Sequence, residues 1–216
     1  PVLDLSIDGA DPVIEDRAFG TTPAEVIPLA TAFIDGVTRS GVTAIVKHIP
    51  GMGRADIDSH QSLPVVKTPV SILEQSDWIP FQVVSGTRWA MTAHIVIPEW
   101  DHAPITTSER AMSHIRSLFG DRIIVSDCLT MGAITGAIEE RVQRTLDAGV
   151  DLALFSNGSD EERRRAVEAS GEPRVIREEP IELKTLPSST LETLLQKLRE
   201  VPTQIQAADP TWDRRH

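Results

Sequence analysis

Among the 216 residues there is a single cysteine, Cys128. One thiol excludes an internal disulfide framework and fits a reducing compartment such as the cytoplasm. No apolar run is long enough to span a bilayer, and no stretch near the start has the order of a secretory signal. Basic residues are not in excess either. The 21 Lys and Arg stand against 32 Asp and Glu, for a formal charge of −11, which argues against nucleic acid or an anionic membrane as the main partner. Metal-ligand spacings such as His-x3-His are missing, and no acidic cluster suggests calcium. Pro50-Gly51-Met52-Gly53 resembles a phosphate-cradling loop only superficially, because no glycine follows at the third position. No metal or cofactor is therefore expected. An initiating methionine is also lacking: the chain begins at Pro1, so its first residue is not expected to be the start of translation.

What is there is ordinary for a globular protein, with 40% hydrophobic and 25% charged residues, in a chain long enough for one sizeable domain. Five apolar, strand-like runs alternate with helical patterns: Val2–Leu5, Val42–Val46, Trp89–Ala93, Arg122–Val125 and Asp151–Phe155. Thr22-Pro23-Ala24-Glu25 reads as a capping box with proline at the first helical position. Ser71-Ile72-Leu73-Glu74 reads as a second. Ser108 is placed to cap a helix with Met112, Ile115 and Phe119 on its apolar face and Gly120 as its stop. Ile138, Val142 and Leu146 form an i, i+4, i+8 stripe closed by Gly149. Repeated strand–helix units predict an α/β fold with a parallel sheet.

Each run ends at a polar residue: Asp4, Lys47 with His48, His94, Asp127 and Asn157. One such residue marks no more than a strand end. Five in succession, all chemically able, point to the strand-end face where a (β/α)8 barrel keeps its chemistry. The densest stretch is Lys47-His48-Ile49-Pro50-Gly51-Met52-Gly53, followed after four residues by Asp58-Ser59-His60.

That pattern resembles the signature of the family 3 β-N-acetylglucosaminidases, and within them the bacterial cytoplasmic enzymes of cell-wall recycling. Met52 stands where His or Leu is expected. The resemblance extends to Pro1-Val2-Leu3-Asp4-Leu5, Asp16-Arg17-Ala18-Phe19-Gly20, Met91-Thr92-Ala93-His94, Ser126-Asp127-Cys128-Leu129-Thr130-Met131, and Ala148-Gly149-Val150-Asp151-Leu152 through Asn157. It implies a (β/α)8 TIM-barrel type of fold. Five strands cannot close eight, so the chain is expected to lack the N-terminal three or so strand–helix units. Residues 1–171 are then the C-terminal part of the barrel. Residues 172–216 are expected to be a linker, an outer helix with Leu191, Leu194, Leu195 and Leu198 on one face, and a tail.

The resemblance also implies roles. Asp127 would be the nucleophile, since a retaining glycosidase needs a carboxylate beneath the anomeric carbon to trap the sugar covalently. His60 would be the acid/base, oriented by Asp58 on the same loop, because an imidazole titrates near neutral pH and can both give and take a proton. Arg17, Lys47 and His48 would bind the sugar as fixed, charged donors. His94 is expected to be structural, and Cys128 replaces the family's second aspartate with no evident reason. The implied substrate is a muropeptide carrying GlcNAc on 1,6-anhydro-N-acetylmuramic acid. A histidine acid/base also leaves phosphorolysis open, since it does not repel phosphate as a carboxylate does. A third alternative is a sugar-binding chain that does not turn over.

Overall fold

The computed structural model describes residues 1–10 and 13–172, which lie within one compact unit. The segment expected to carry the leucine-faced helix, 188–201, lies outside the described residues. Four strands, β1 (Ile45–Ile49), β2 (Trp89–Thr92), β3 (Ile123–Cys128) and β4 (Leu152–Leu154), form one parallel sheet in sequential order. Helices fill the crossovers: α2 (Val70–Leu73) and α3 (Ile79–Val83) after β1, α4 (Glu109–Phe119) after β2, and α5 (Ile138–Asp147) after β3. Helix α1 (Pro23–Arg39) precedes the sheet and α6 (Asp160–Ser170) follows it. Strand order that never reverses is that of consecutive barrel units, not of a doubly wound sheet.

The helices form where local chemistry directs them. At α1 the Glu25 carboxylate accepts from the Thr21 and Thr22 N–H groups (2.8 and 3.1 Å), closing the helix start. Val26, Ala30 and Ile34 then fall on one face and are fully buried. At α4 the Ser108 hydroxyl accepts from the Ala111 N–H (3.0 Å), and Met112 and Ile115 are buried in the main core. The Ile138–Val142–Leu146 stripe of α5 packs with Leu129 and Ala166 in a second, smaller cluster.

Four expectations are corrected. The run Val42–Val46 is not the strand; β1 starts at Ile45 and includes Lys47 and His48. Val42 belongs to the closing turn of α1, where Gly41 adopts φ +77° and the Gly41 and Val42 N–H groups bond to Thr38 and Val37 carbonyls. Lys47, by contrast, is held by backbone bonds to Pro1 and Leu3 on one side and registers with Met91 on the other. Val2–Leu5 contributes a single parallel bridge, Val2 to Lys47, at that edge. Ser71 is not a cap: α2 begins one residue earlier, and the Glu99 carboxylate takes the Val70 N–H (2.9 Å). A carboxylate reaching in from the loop after β2 outcompetes the local box. Strand β3 also runs further than Val125, so Asp127 lies inside the strand rather than after it.

Candidate active site

The apolar run at the chain start carries one charged residue, Asp4, and its side chain is wholly buried. Burying a carboxylate is costly unless donors surround it. Here Oδ1 accepts from the Met52 N–H (2.8 Å), and Oδ2 from the His48 N–H (3.1 Å) and from His48 Nδ1 (2.6 Å). A carboxylate only accepts, so His48 carries a proton on Nδ1. Its other nitrogen, Nε2, faces Asp127 Oδ2 at 3.9 Å. Asp4 thus positions both the strand end and the start of the following loop, which makes it part of the site.

Asp127 is pinned through its backbone and one of its oxygens. Its N–H reaches Thr92 Oγ1 (3.4 Å), and its Oδ1 accepts from the next N–H, that of Cys128 (2.7 Å). Oδ2 is the oxygen left facing His48, and the side chain remains 18% exposed. Beneath it lies His94, fully buried, with Nε2 bonded to the Cys128 carbonyl (3.1 Å) and Nδ1 to Thr106 Oγ1 (2.8 Å). Burial pushes the His94 ring below the usual histidine range despite the opposing charge of Asp127. The His48 and His60 charges are felt there too and push the same way. The expectation of a structural role for His94 agrees with these bonds.

Asp58 and His60 lie on the long loop after β1. Asp58 Oδ1 accepts both the His60 N–H (2.9 Å) and the His60 Nδ1 proton (2.8 Å). Partial burial would raise the Asp58 carboxyl, but the His60 bonds and charge outweigh it and hold the group below the usual aspartate value. With Nδ1 engaged, His60 Nε2 is the nitrogen free to exchange protons, on a side chain 60% exposed. Two glycines dock this loop. A Cβ on Gly53 would lie 2.0 Å from the Leu5 carbonyl oxygen, so only glycine fits against that stretch of backbone. Gly132, just after β3, donates its N–H to the His60 carbonyl (3.0 Å), and Ala133 donates to Ser59 (3.1 Å). The loop bearing His60 is thereby bonded to the segment that directly follows Asp127. Arg54 ties its middle to the buried Asp77 carboxylate (2.9 Å).

The other expected site residues are less closely joined. Arg17 ends a 3-10 turn (Glu15–Arg17) in the loop after Val2–Leu5, which the Ser6–Gly20 backbone bond (2.9 Å) draws to the same end of the sheet. Among the described residues its buried Nε has no hydrogen-bond partner. Lys47 is half-buried, and among the described residues its ammonium bonds neither to Asp127 nor to His48. Cys128 Sγ lies among the Thr130 hydroxyl (3.0 Å), the Ser156 hydroxyl (2.8 Å) and the Ser156 N–H (3.3 Å). Burial would raise this thiol, but the bonds from Ser156 and Thr130 prevail and lower it. The serine and threonine donors suit a group that accepts, which is what an aspartate there would also do. Sequence reasoning gave no role to Asp4, Thr92, Thr106 or the Arg54–Asp77 pair. A lone charge in an apolar run signals Asp4; Thr106 offers no such sign. Among the described residues no group of side chains could hold a metal ion, and no helix is long and apolar enough to cross a membrane.

Known proteins resemble this chain in sequence and in fold. The family model described as "Glycosyl hydrolase family 3 N terminal domain" matches residues 1–180. A β-hexosaminidase of Thiobacillus denitrificans is 38% identical over 163 residues, 73% of this chain and 45% of its own length. One from Neisseria meningitidis serogroup C is 35% identical over 216 residues, covering 96% of this chain and 58% of its own. Among solved structures, native NagZ from Neisseria gonorrhoeae superposes with a TM-score of 0.71 at 31% identity, covering 91% of this chain and 58% of that one. A family 3 β-N-acetylglucosaminidase from Paenibacillus superposes with a TM-score of 0.74 at 33% identity, covering 79% and 34%. The chain spans about half the length of the curated relatives it matches.

Proposed function

The chain belongs to glycosyl hydrolase family 3, and from that premise we propose that it carries the nucleophile and the proton-transfer group of a retaining β-N-acetylhexosaminidase. Two observations support the reading. Asp127 offers Oδ2 with its Oδ1 already engaged, while His60 stands on a loop bonded to the residues just beyond β3.

In the first step Asp127 Oδ2 attacks the anomeric carbon as the glycosidic bond breaks. His60 gives its Nε2 proton to the departing oxygen, and Asp58 keeps the Nδ1 proton in place throughout. In the second step His60 takes a proton from water, the water oxygen bonds to the anomeric carbon, and the Asp127 ester opens. Arg17 and Lys47 supply donors to the sugar hydroxyls and the N-acetyl carbonyl, and His48, with its Nδ1 proton given to Asp4, turns Nε2 to the side where Asp127 meets the sugar. The substrate class is a terminal β-GlcNAc on a muropeptide, GlcNAc-1,6-anhydroMurNAc, in cell-wall recycling.

Trapping with a fluorinated, activated glycoside followed by peptide mapping tests the reading. Label on Asp127 is expected, and label on any other residue defeats it. Asp127→Asn should abolish turnover, a loss of at least about 10³-fold. Identification of the released sugar in phosphate buffer separates hydrolysis from phosphorolysis.

A further inference from the structure

We infer that His94 is a positioning residue that sets the direction of the Asp127 carboxylate, an inference that rests on Asp127 being the nucleophile. The argument is one of proton placement. The Cys128 carbonyl can only accept, so the His94 proton is on Nε2. In the neutral ring Nδ1 must then accept, and of the two acceptors within reach of the Thr106 hydroxyl, Nδ1 at 2.8 Å and the Ala93 carbonyl at 3.2 Å, the nearer takes its proton. The Thr106 oxygen is left to accept from the Thr92 hydroxyl (2.9 Å), whose own oxygen accepts the Asp127 N–H. One ring therefore holds both ends of the Asp127–Cys128 dipeptide, the N–H of the first residue and the carbonyl of the second. Between those ends the Cys128 N–H fixes Asp127 Oδ1, so rotation of the dipeptide would swing Oδ2 away from His48.

Thr92, His94 and Thr106 are all completely buried. None of the three reaches the opening, so the network acts on the sugar only through Asp127. A buried chain of this kind is costly unless every member is satisfied, and here each has its partner. Misdirecting a reacting oxygen by about 1 Å is enough to cost roughly 10²-fold in rate.

Three variants read the network. His94→Gln retains a donor near the position of Nε2, His94→Asn an acceptor near that of Nδ1, and His94→Leu neither. The measurements are the rate of Asp127 labelling by a fluorinated glycoside, KM, thermal midpoint, the ring tautomer by nitrogen-15 NMR and the exchange rate of the Asp127 amide. Expected are a neutral Nε2–H ring in the wild type, labelling slowed about 10²-fold in His94→Leu with KM little changed, and recovery of most of that rate in His94→Gln. Wild-type labelling rates in a His94→Leu protein that merely melts earlier would overturn the inference. So would an Nδ1–H tautomer in the wild type. Should His94→Leu fail to fold, the ranking of Gln above Asn decides. Should the wild type carry no label on Asp127, the nucleophile reading falls, and Asp127 amide exchange judges the clamp by itself. Faster exchange in the variants supports it, and unchanged exchange overturns it.

Discussion

The two halves of the site are built by opposite rules. Beneath the sheet's C-terminal end, Asp4, Thr92 and His94 are fully buried and every polar atom named there has a partner inside the protein. His60, by contrast, is 60% exposed, and among the described residues its side chain bonds to Asp58 alone. The difference fits the tasks proposed for them. An attacking carboxylate gains from a direction fixed before the substrate arrives. A proton carrier must serve a departing oxygen first and water afterwards, so it needs access and a defined tautomer more than a defined position. Glycines join the halves: Gly53 lets the loop touch the Leu5 carbonyl, and Gly132 lets the β3 exit touch the His60 carbonyl.

The largest effect should come from removing the buried anchor. Asp4→Ala leaves the Met52 N–H, the His48 N–H and the His48 ring proton without an acceptor in a site closed to water. Breaking a buried, hydrogen-bonded charge from one side costs about 3–5 kcal/mol. A fall of that size in unfolding free energy by urea titration is expected, together with loss of Asp127 labelling. A variant that unfolds within about 1 kcal/mol of the wild type would show that the platform does not depend on its buried polar bonds.

A smaller and more selective effect is expected at the joint. In Gly132→Ala the new methyl would lie 2.6 Å from the Gln61 carbonyl oxygen and 2.7 Å from that of His60. Both are backbone atoms, so the loop itself must move. The stability cost should be about 1–3 kcal/mol, the range for crowding a packed site. Turnover should fall more steeply, by about 10²-fold, since His60 is carried off its station. Label should still reach Asp127 when the leaving group needs no proton. If labelling with such a group falls as far as turnover does, the two halves are not separable.

Much of this contrast is legible in the chain, and unevenly so. The α/β alternation and the caps at Thr22 and Ser108 are written locally, in capping chemistry and apolar period. So is the grouping of Lys47, His48, Asp58 and His60 within one stretch. The start of β1 is not, because Val42 is claimed by the closing turn of α1, and nothing in Val42–Val46 reveals that competition. Ser71 fails as a cap for a similar reason: its competitor, Glu99, is 29 residues from the Val70 N–H that it takes. The support beneath Asp127 is the least legible part. Thr92 and Thr106 meet only through the fold, and a threonine at a strand end or in a 3-10 turn carries no sign of what it will touch.

The smallest expected change in stability, and the sharpest in pH, is at Asp58. Its carboxyl is held below the usual aspartate value in the folded protein, chiefly by His60 working against the cost of partial burial. A group depressed on folding contributes stability above its unfolded value, and that contribution is lost as pH falls through the folded value. Asp58→Asn should therefore cost little at neutral pH, under about 1 kcal/mol for so open a pair. The gap between wild type and variant should close on acidification below about pH 4, where an unfolded aspartate begins to bind its proton. Denaturant titrations of both proteins across that range measure it. The same substitution should slow turnover by about 10²-fold or more, because an amide can hold the His60 Nδ1 proton but cannot stabilise the ring once it is charged. A gap that persists unchanged through acid would mean that Asp58 owes nothing to the imidazole beside it. The open half of the site would then have no internal partner to set its tautomer, and would differ from the closed half in kind rather than in degree.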